Sequence, residues 1–216
     1  MAAYVKRQLQ VFFPDGEVLP VDVLEGATQQ ALAAVARCFK RIALPGYTRG
    51  ESEGVLPHLH GDRYASFLAL LARELSVGRH ADLATRVYLL NKALHGIDLY
   101  HEVELPEVFL LVHPVGTVIG RAQLGNFLCV YQNCSIGGSP REDRLDYPVV
   151  GDGVLMYAKS GIFGKSKVGN RVVLGAGSLV INAQVPDDAL VAGSDIRPGA
   201  SAVPSLLSRL FLGFTK

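Results

Sequence analysis

The chain has 216 residues, 49% hydrophobic and 19% charged, with twenty-one basic against twenty acidic side chains and a net charge of +1. That apolar content excludes a disordered chain, and the near-neutral balance argues against nucleic acid or an anionic membrane as a partner. No apolar run approaches the roughly 20 residues that cross a bilayer, and MAAYVKRQLQVFF lacks the apolar core and cleavage site of a secretory leader. Cys38, Cys129 and Cys134 are an odd number without zinc spacing, so a cytoplasmic, reducing location is expected, with no metal held by them.

In chain order, Pro14-Asp15-Gly16 between QLQVFF and EVLPVDV predicts a small hairpin or turn. From Thr28 to Ala43, Leu32, Val35, Phe39 and Ile42 recur at helical spacing and predict a helix ending at Pro45-Gly46. Asp62 can cap a second helix whose Tyr64, Phe67, Leu68, Leu71 and Leu75 share a face up to Gly78. A third, from about Asp82 to Leu94, carries Leu83, Val87, Leu90 and Leu94 before Gly96. Residues 1–95 therefore read as a mainly helical domain.

The second half follows another period, and fifteen of the 23 glycines lie from Gly116 onward. Steps of six from Val118 reach Leu124, Val130 and Ile136, and after a break steps from Val150 reach Met156, Ile162, Val168, Leu174 and Val180. Four positions on stand mostly small or β-branched residues such as Cys134, Ser160, Ser166 and Ser178, and glycine often follows the apolar residue. A period of six fits neither an amphipathic helix nor strand alternation; it fits a solenoid of very short strands joined by tight corners. The pattern resembles the hexapeptide repeat of left-handed parallel β-helices, in which three hexads make one triangular coil, so residues eighteen apart are expected to stack, while Lys159, Lys165 and Arg171 point three ways.

GID at 96–98, HPVGTVIG at 113–120, SIGG at 135–138, YP at 147–148, SGIFG at 160–164, LGAGSLV at 174–180 and AG at 192–193 resemble the catalytic domain of serine acetyltransferases, within the hexapeptide acyltransferase superfamily. The resemblance implies an α+β chain: a mainly helical domain, 1–95, a left-handed β-helix acyltransferase domain, 96–198, and a C-terminal helical segment, 199–216. It implies acetyl-CoA as co-substrate, no metal, and a homotrimer or dimer of trimers. The same fold hosts zinc carbonic anhydrases, but they need histidines from neighbouring coils and this chain has none from Val118 onward. His58 and His60 lack a nearby third ligand.

By the resemblance, His113 is the general base and Asp98 its carboxylate partner. A serine-like hydroxyl is too weakly acidic to attack a thioester unaided, so an imidazole must take its proton, and a carboxylate on the other ring nitrogen fixes the tautomer. His95 and His101 are expected in surface roles. Gly137 and Gly138 are candidate oxyanion donors or plain corner glycines. Ala158, Ser160, Gly164, Ala176 and Ser178 are expected along the CoA groove, with Lys159, Lys165 and Lys167 as phosphate partners or solvated lysines; Tyr157 stands where the family usually has glycine.

On the acceptor side the chain departs from the family. Asp146-Tyr147 replaces an Arg-His pair before Pro148, which removes a bidentate carboxylate clamp, and Val112 replaces an acidic residue before His113. Asp62 resembles the helical-domain aspartate that meets the serine amine. The expected activity is O-acetylation of serine or a related small hydroxyl acceptor; a sugar or glycan hydroxyl or amine, or a non-catalytic scaffold, are the alternatives. In PSLLSRLFLGFTK, Leu206, Leu207, Leu210 and Phe211 form one helical stripe, which predicts a packed helix and, with Lys216 at the end, no tail-mediated sulfhydrylase complex.

Overall fold

The computed structural model describes residues 1–48, 56–141, 144–200 and 203–214. Among the described residues, five helices precede the β-strands: α1 (Ala2–Phe12), α2 (Val21–Phe39), α3 (Pro45–Thr48), α4 (Gly61–Val77) and α5 (Ala81–His95). The expected hairpin around Pro14 is replaced by α1, because Val5 and Leu9, one helical turn apart, are buried against its neighbours. Only the turn survives, with Gly16 at φ +79° and the Glu17 amide bonded to the Asp15 carboxylate. Helix α2 begins earlier than its apolar spacing suggested and buries Leu24, Ala31, Val35 and Phe39. Helix α4 is capped at His60 without a side-chain bond, so Asp62 lies inside the first turn and does not cap it.

The β-helix follows β1 (Asp98–Leu99). Its first coil is β2 (Phe109–Leu111), β3 (Val118–Ile119) and β4 (Gln123–Leu124); its second is β5 (Leu128–Val130), β6 (Ser135–Gly137), the antiparallel hairpin β7 (Ser139–Arg141) with β8 (Arg144–Asp146), and β9 (Val149–Val150). The third is β10 (Val154–Met156), β11 (Gly161–Phe163) and β12 (Lys167–Val168), and the fourth β13 (Val172–Leu174), β14 (Leu179–Ile181) and β15 (Gln184–Val185). A fifth begins with β16 (Leu190–Ala192), and β17 (Asp195–Arg197) turns back antiparallel on it. Three parallel sheets result, β2-β5-β10-β13-β16, β1-β3-β6-β11-β14 and β4-β9-β12-β15. Val154 faces Val172 and Gly161 faces Leu179, the eighteen-residue stacking that the hexads predicted. Ile119, Ile136, Ile162 and Val180 form one buried interior column.

The first of these sheets differs from the others: β2, β5, β10 and β13 are buried at every position, so it is covered on both faces. The helices supply that cover. Cys38 of α2 exchanges hydrogen bonds with the Phe109 backbone, and Leu207 of α6 (Val203–Leu210) reaches the Gly153 turn before β10. Helix α6 buries Val203, Leu207 and Leu210, as its apolar stripe predicted, and the chain after it clips the two halves together. Ala43 N–H donates to Leu210 O, Leu212 N–H donates to Arg41 O, and Phe127 meets the rings of Phe211 and Phe214. Lys216, on which the expectation about a sulfhydrylase partner turned, lies outside the described residues. Among the described residues no helix is long and apolar enough to cross a membrane.

Candidate active site

Two corners of the solenoid depart from the regular coil, and the expected site residues divide between them. At the corner from the covered sheet to the β1-β3-β6-β11-β14 sheet, later coils pass from Val130 to Ser135, from Met156 to Gly161 and from Leu174 to Leu179. The first coil passes from Leu111 to Val118, two residues longer. Val112 N–H donates to Val130 O as the coil stacking requires, and Asn133 N–H donates to Val115 O. The surplus residues are therefore His113 and Pro114, and they push outward. His113 adopts φ +48°, and its side chain is 77% exposed. Its loop is pinned from behind by the Gly116 N–H bond to Gly96 O at the end of α5.

Asp62 stands behind this histidine. Its side chain is 11% exposed, and its Oδ2 is 3.9 Å from His113 Nδ1 and accepts the Tyr47 hydroxyl. Burial pushes the Tyr47 phenol well above its ordinary range, the bond to Asp62 adding to the effect, so Tyr47 stays a proton donor. Arg63 donates to Tyr47 O at 2.9 Å and lies over the Phe39 ring. Asp98, expected as the partner of His113, is bonded elsewhere: its Oδ1 accepts the Tyr88 hydroxyl at 2.7 Å and its Oδ2 pairs with Lys92 at 2.6 Å. Burial works against the Asp98 carboxylate, yet the Lys92 and Tyr88 bonds outweigh it and hold the pKa below the usual value. The physical reason is local: Tyr88 and Lys92 lie one turn apart on α5 and face β1.

Above His113 the corner is lined by Tyr131 and Tyr157, rings 5.3 Å apart, then by Ala158 and the exposed Ala176. Ser160 and Ser178, expected along the groove, point into the solenoid. Both are buried, and the Ser178 hydroxyl bonds Val191 O and Gly193 N–H. Their position four after the hexad's apolar residue faces inward, where a small hydroxyl satisfies backbone groups at the corner. His95 and His101, expected in surface roles, are half-buried and buried respectively; His95 bonds Asn91, and His101 bonds Ser76 and Thr85. Burial lowers both pKa values.

The second departure lies at the other end of the same sheet, where hairpin β7–β8 enlarges the second coil. Here Gly137, Gly138, Gly164, Lys165, Asp146 and Tyr147 gather. A Cβ on Gly138 would stand 2.8 Å from Asp146 O and 2.9 Å from the Tyr147 ring, so only glycine lets the hairpin close down; Gly137 has open space instead. Gly164 needs its left-handed φ of +66° beneath Asn182 and Ser139. Exposed Lys165 borders a depression with Ser139, Pro140, Asp146 and Asn182. The Arg121 guanidinium lies over Tyr147 at 5.5 Å and 3.8 Å from Glu102. Among the described residues no cluster of three metal-ligating side chains occurs.

Sequence reasoning missed Tyr47, because nothing in PGYT signals a site, and it left Tyr131 unremarked. A signal for Tyr131 did exist: it and Tyr157 directly follow an apolar hexad residue, where five other hexads have glycine.

No family model matches the chain. A serine acetyltransferase of Staphylococcus epidermidis is 30% identical over 131 residues, 60% of this chain and 61% of the relative. Serine acetyltransferase 2 of Arabidopsis thaliana is 35% identical over 100 residues, 46% of this chain and 31% of the relative. The chain thus spans about three fifths or less of these curated relatives. Among solved structures, the serine acetyltransferase of Neisseria gonorrhoeae superposes with a TM-score of 0.68 at 26% identity, over 83% of this chain and 70% of that one. In sequence the chain is similar to serine acetyltransferases, and it shares with their solved structures a helical region followed by a left-handed β-helix.

Proposed function

We propose that the chain transfers the acetyl group of acetyl-CoA to the hydroxyl of serine or a closely related small acceptor, with His113 as general base. The observation that carries this reading is the two-residue enlargement that lifts His113 out of an otherwise regular corner, with a buried carboxylate behind it. The imidazole takes the acceptor's proton as its oxygen bonds the thioester carbon. The resulting oxyanion collapses, the C–S bond breaks, and the imidazolium returns the proton to the departing thiolate. The resemblance gives the carboxylate part to Asp98, whereas Asp62 lies nearer to the ring. Ala158 and Ala176 leave room for an extended pantetheine beside His113, and Lys159 and Lys165 are exposed cations suited to its phosphates. A solved Neisseria gonorrhoeae relative is in complex with serine and another serine acetyltransferase with CoA.

The acceptor corner, with Asp146, Tyr147, Gly137 and Gly138, stands across a sheet from His113 in the same chain. Val118, Leu179 and Ile181 expose apolar side chains on that sheet. A homotrimer that packs this face against a neighbour would bring one corner of each kind together, and the site is proposed to be shared in this way. A sugar or glycan acceptor is the second reading. Tyr100, Glu102, Arg121 and Tyr147 line one depression, where two aromatic rings and the paired Glu102 and Arg121 suit the hydroxyls of a sugar. The test is thiol release from acetyl-CoA across a panel of amino acids, amino sugars and sugars. Turnover with serine supports the first reading, turnover with sugars alone the second. No thiol release with any acceptor, or a stable monomer by light scattering that is fully active, overturns the shared acetyl-transfer site.

A further inference from the structure

We infer that the rings of Tyr131 and Tyr157 form a wall that limits the donor's acyl group to acetyl; this rests on the proposed reading of His113 as base and of Ala158 and Ala176 as the path of the pantetheine. Each tyrosine directly follows an apolar hexad residue, Val130 or Met156, where five other hexads have glycine. Backbone bonds set the two in one column. Val112 N–H donates to Val130 O, Tyr131 N–H to Met156 O, Tyr157 N–H to Leu174 O and Gly175 N–H to Val191 O. Bulk therefore stands on the two coils directly above Val112 and His113, and the column opens again at Gly175 on the next coil.

The wall is fixed to the solenoid. The two rings lie 5.3 Å apart, and both are half-buried against the core. From inside the coil the Thr117 hydroxyl donates to Tyr131 O at 2.9 Å, and the Cys134 thiol donates to Tyr157 O at 3.2 Å, so neither backbone is free to carry its ring away. Burial raises the Tyr131 pKa, which keeps its ring neutral and apolar. Among the described residues neither phenol hydroxyl makes a hydrogen bond, so the rings serve the corner by their bulk. The neighbouring column carries the pantetheine path: Lys159 N–H donates to Gln132 O and Gly177 N–H to Ala158 O, which stacks Gln132, Ala158 and Ala176. The reacting thioester carbon must come within about 3 Å of an acceptor oxygen that is itself about 3 Å from the imidazole. Coils stack about 4.8 Å apart, so a carbon about 6 Å from His113 stands level with these rings. A methyl group fits beside them, whereas each further methylene must displace a ring that is already packed.

Acetyl-, propionyl- and butyryl-CoA on the full chain test this, by thiol release with the best acceptor and by calorimetric affinity without one. In the parent, kcat/KM is expected to fall about ten- to two-hundredfold for each added methylene, with affinity following the same order. Tyr157→Gly, the residue that Gly175 already provides at the same register, is expected to raise the butyryl-to-acetyl ratio about tenfold or more. Tyr157→Phe keeps the ring and is expected to keep the parent ratio. If Tyr157→Gly fails to fold, Tyr131→Leu decides the matter, with the same direction of change expected. A parent that uses butyryl-CoA as well as acetyl-CoA, a ratio unmoved in the folded Gly or Leu variant, or one that shifts equally in Tyr157→Phe overturns the inference and leaves acetyl transfer standing. A binding preference for acetyl-CoA that relaxes in Tyr157→Gly, in a protein that releases no thiol with any acceptor, would instead overturn the proposed function and leave the wall in place.

Discussion

The two enlarged corners of the solenoid are built from the same repeat but in opposite ways. One is widened by only His113 and Pro114 and is backed by α3, α4 and the end of α5, so the His113 side chain projects while its support is buried. The other is widened by the eight residues of hairpin β7–β8 and closes down through Gly138 onto Tyr147. The contrast teaches that a regular β-helix supplies rigid stacking, and that most of the candidate site residues lie where the coil departs from its period. Buried support suits the proton transfer proposed for the first corner, and a hairpin standing outside the coil suits the acceptor recognition proposed for the second.

The largest way to break this comparison is at the first corner. His113→Ala is expected to lower thiol release about 10²- to 10⁴-fold, with unchanged far-UV circular dichroism because the side chain packs against little. Near-parental turnover would show that the projecting histidine is not the base. The scaffold beneath both corners comes next: Ile162→Ala, in the middle of the buried column, should cost about 2–5 kcal/mol in urea unfolding. A loss under 1 kcal/mol would mean that the column does not carry the coil.

At the second corner, Gly138→Ala should force the Tyr147 loop outward, because a methyl would meet Asp146 O and the Tyr147 ring below 3 Å. The expected result is a rise in acceptor KM of about ten- to a hundredfold with acetyl-CoA KM nearly unchanged, read from initial rates. An equal rise in both constants would instead tie the hairpin to the acyl donor.

The smallest effect concerns pH. Burial lowers the pKa of His101 below its ordinary 6.5, so the unfolded chain binds the proton more readily than the folded one. Its share of stability is full above about 6.5 and is lost as the pH falls toward the lowered folded value. Asp98 acts in a separate, more acid window: its lowered pKa stabilises the fold above the ordinary carboxylate value and that share disappears as pH falls through the folded one. The urea midpoint should therefore drop between pH 7.5 and 5.5 in the parent and drop less in His101→Gln. Equal drops would assign the acid sensitivity to another group, His95 first among them.

Periodicity made much of this molecule readable. Apolar residues every sixth position mark a solenoid of very short strands; the resemblance to hexapeptide repeats makes it three-sided, and the stacking of Val154 on Val172 follows from that. The helices of α4 and α5 were equally legible, since a 3.6-residue stripe has one way to bury itself. Helix α1 was not, because Val5 and Leu9 become a buried face only once a neighbouring helix is there to cover them. The inward aim of Ser160 and Ser178 follows from the corner's own turn, which residue type alone does not reveal.

The sequence by itself determined the repeat and the helical segment before it, because each is written in residues a few positions apart; His113 was singled out by resemblance, and its projection belongs to the structure. Only the tertiary structure decided what Asp98 and Asp62 meet. Both are acids upstream of His113, and their partners depend on how α3, α4 and α5 pack against the first coil. That packing turns Asp98 toward Tyr88 and Lys92 and buries Asp62 with Tyr47 behind the imidazole, a long-range arrangement that no local spacing encodes.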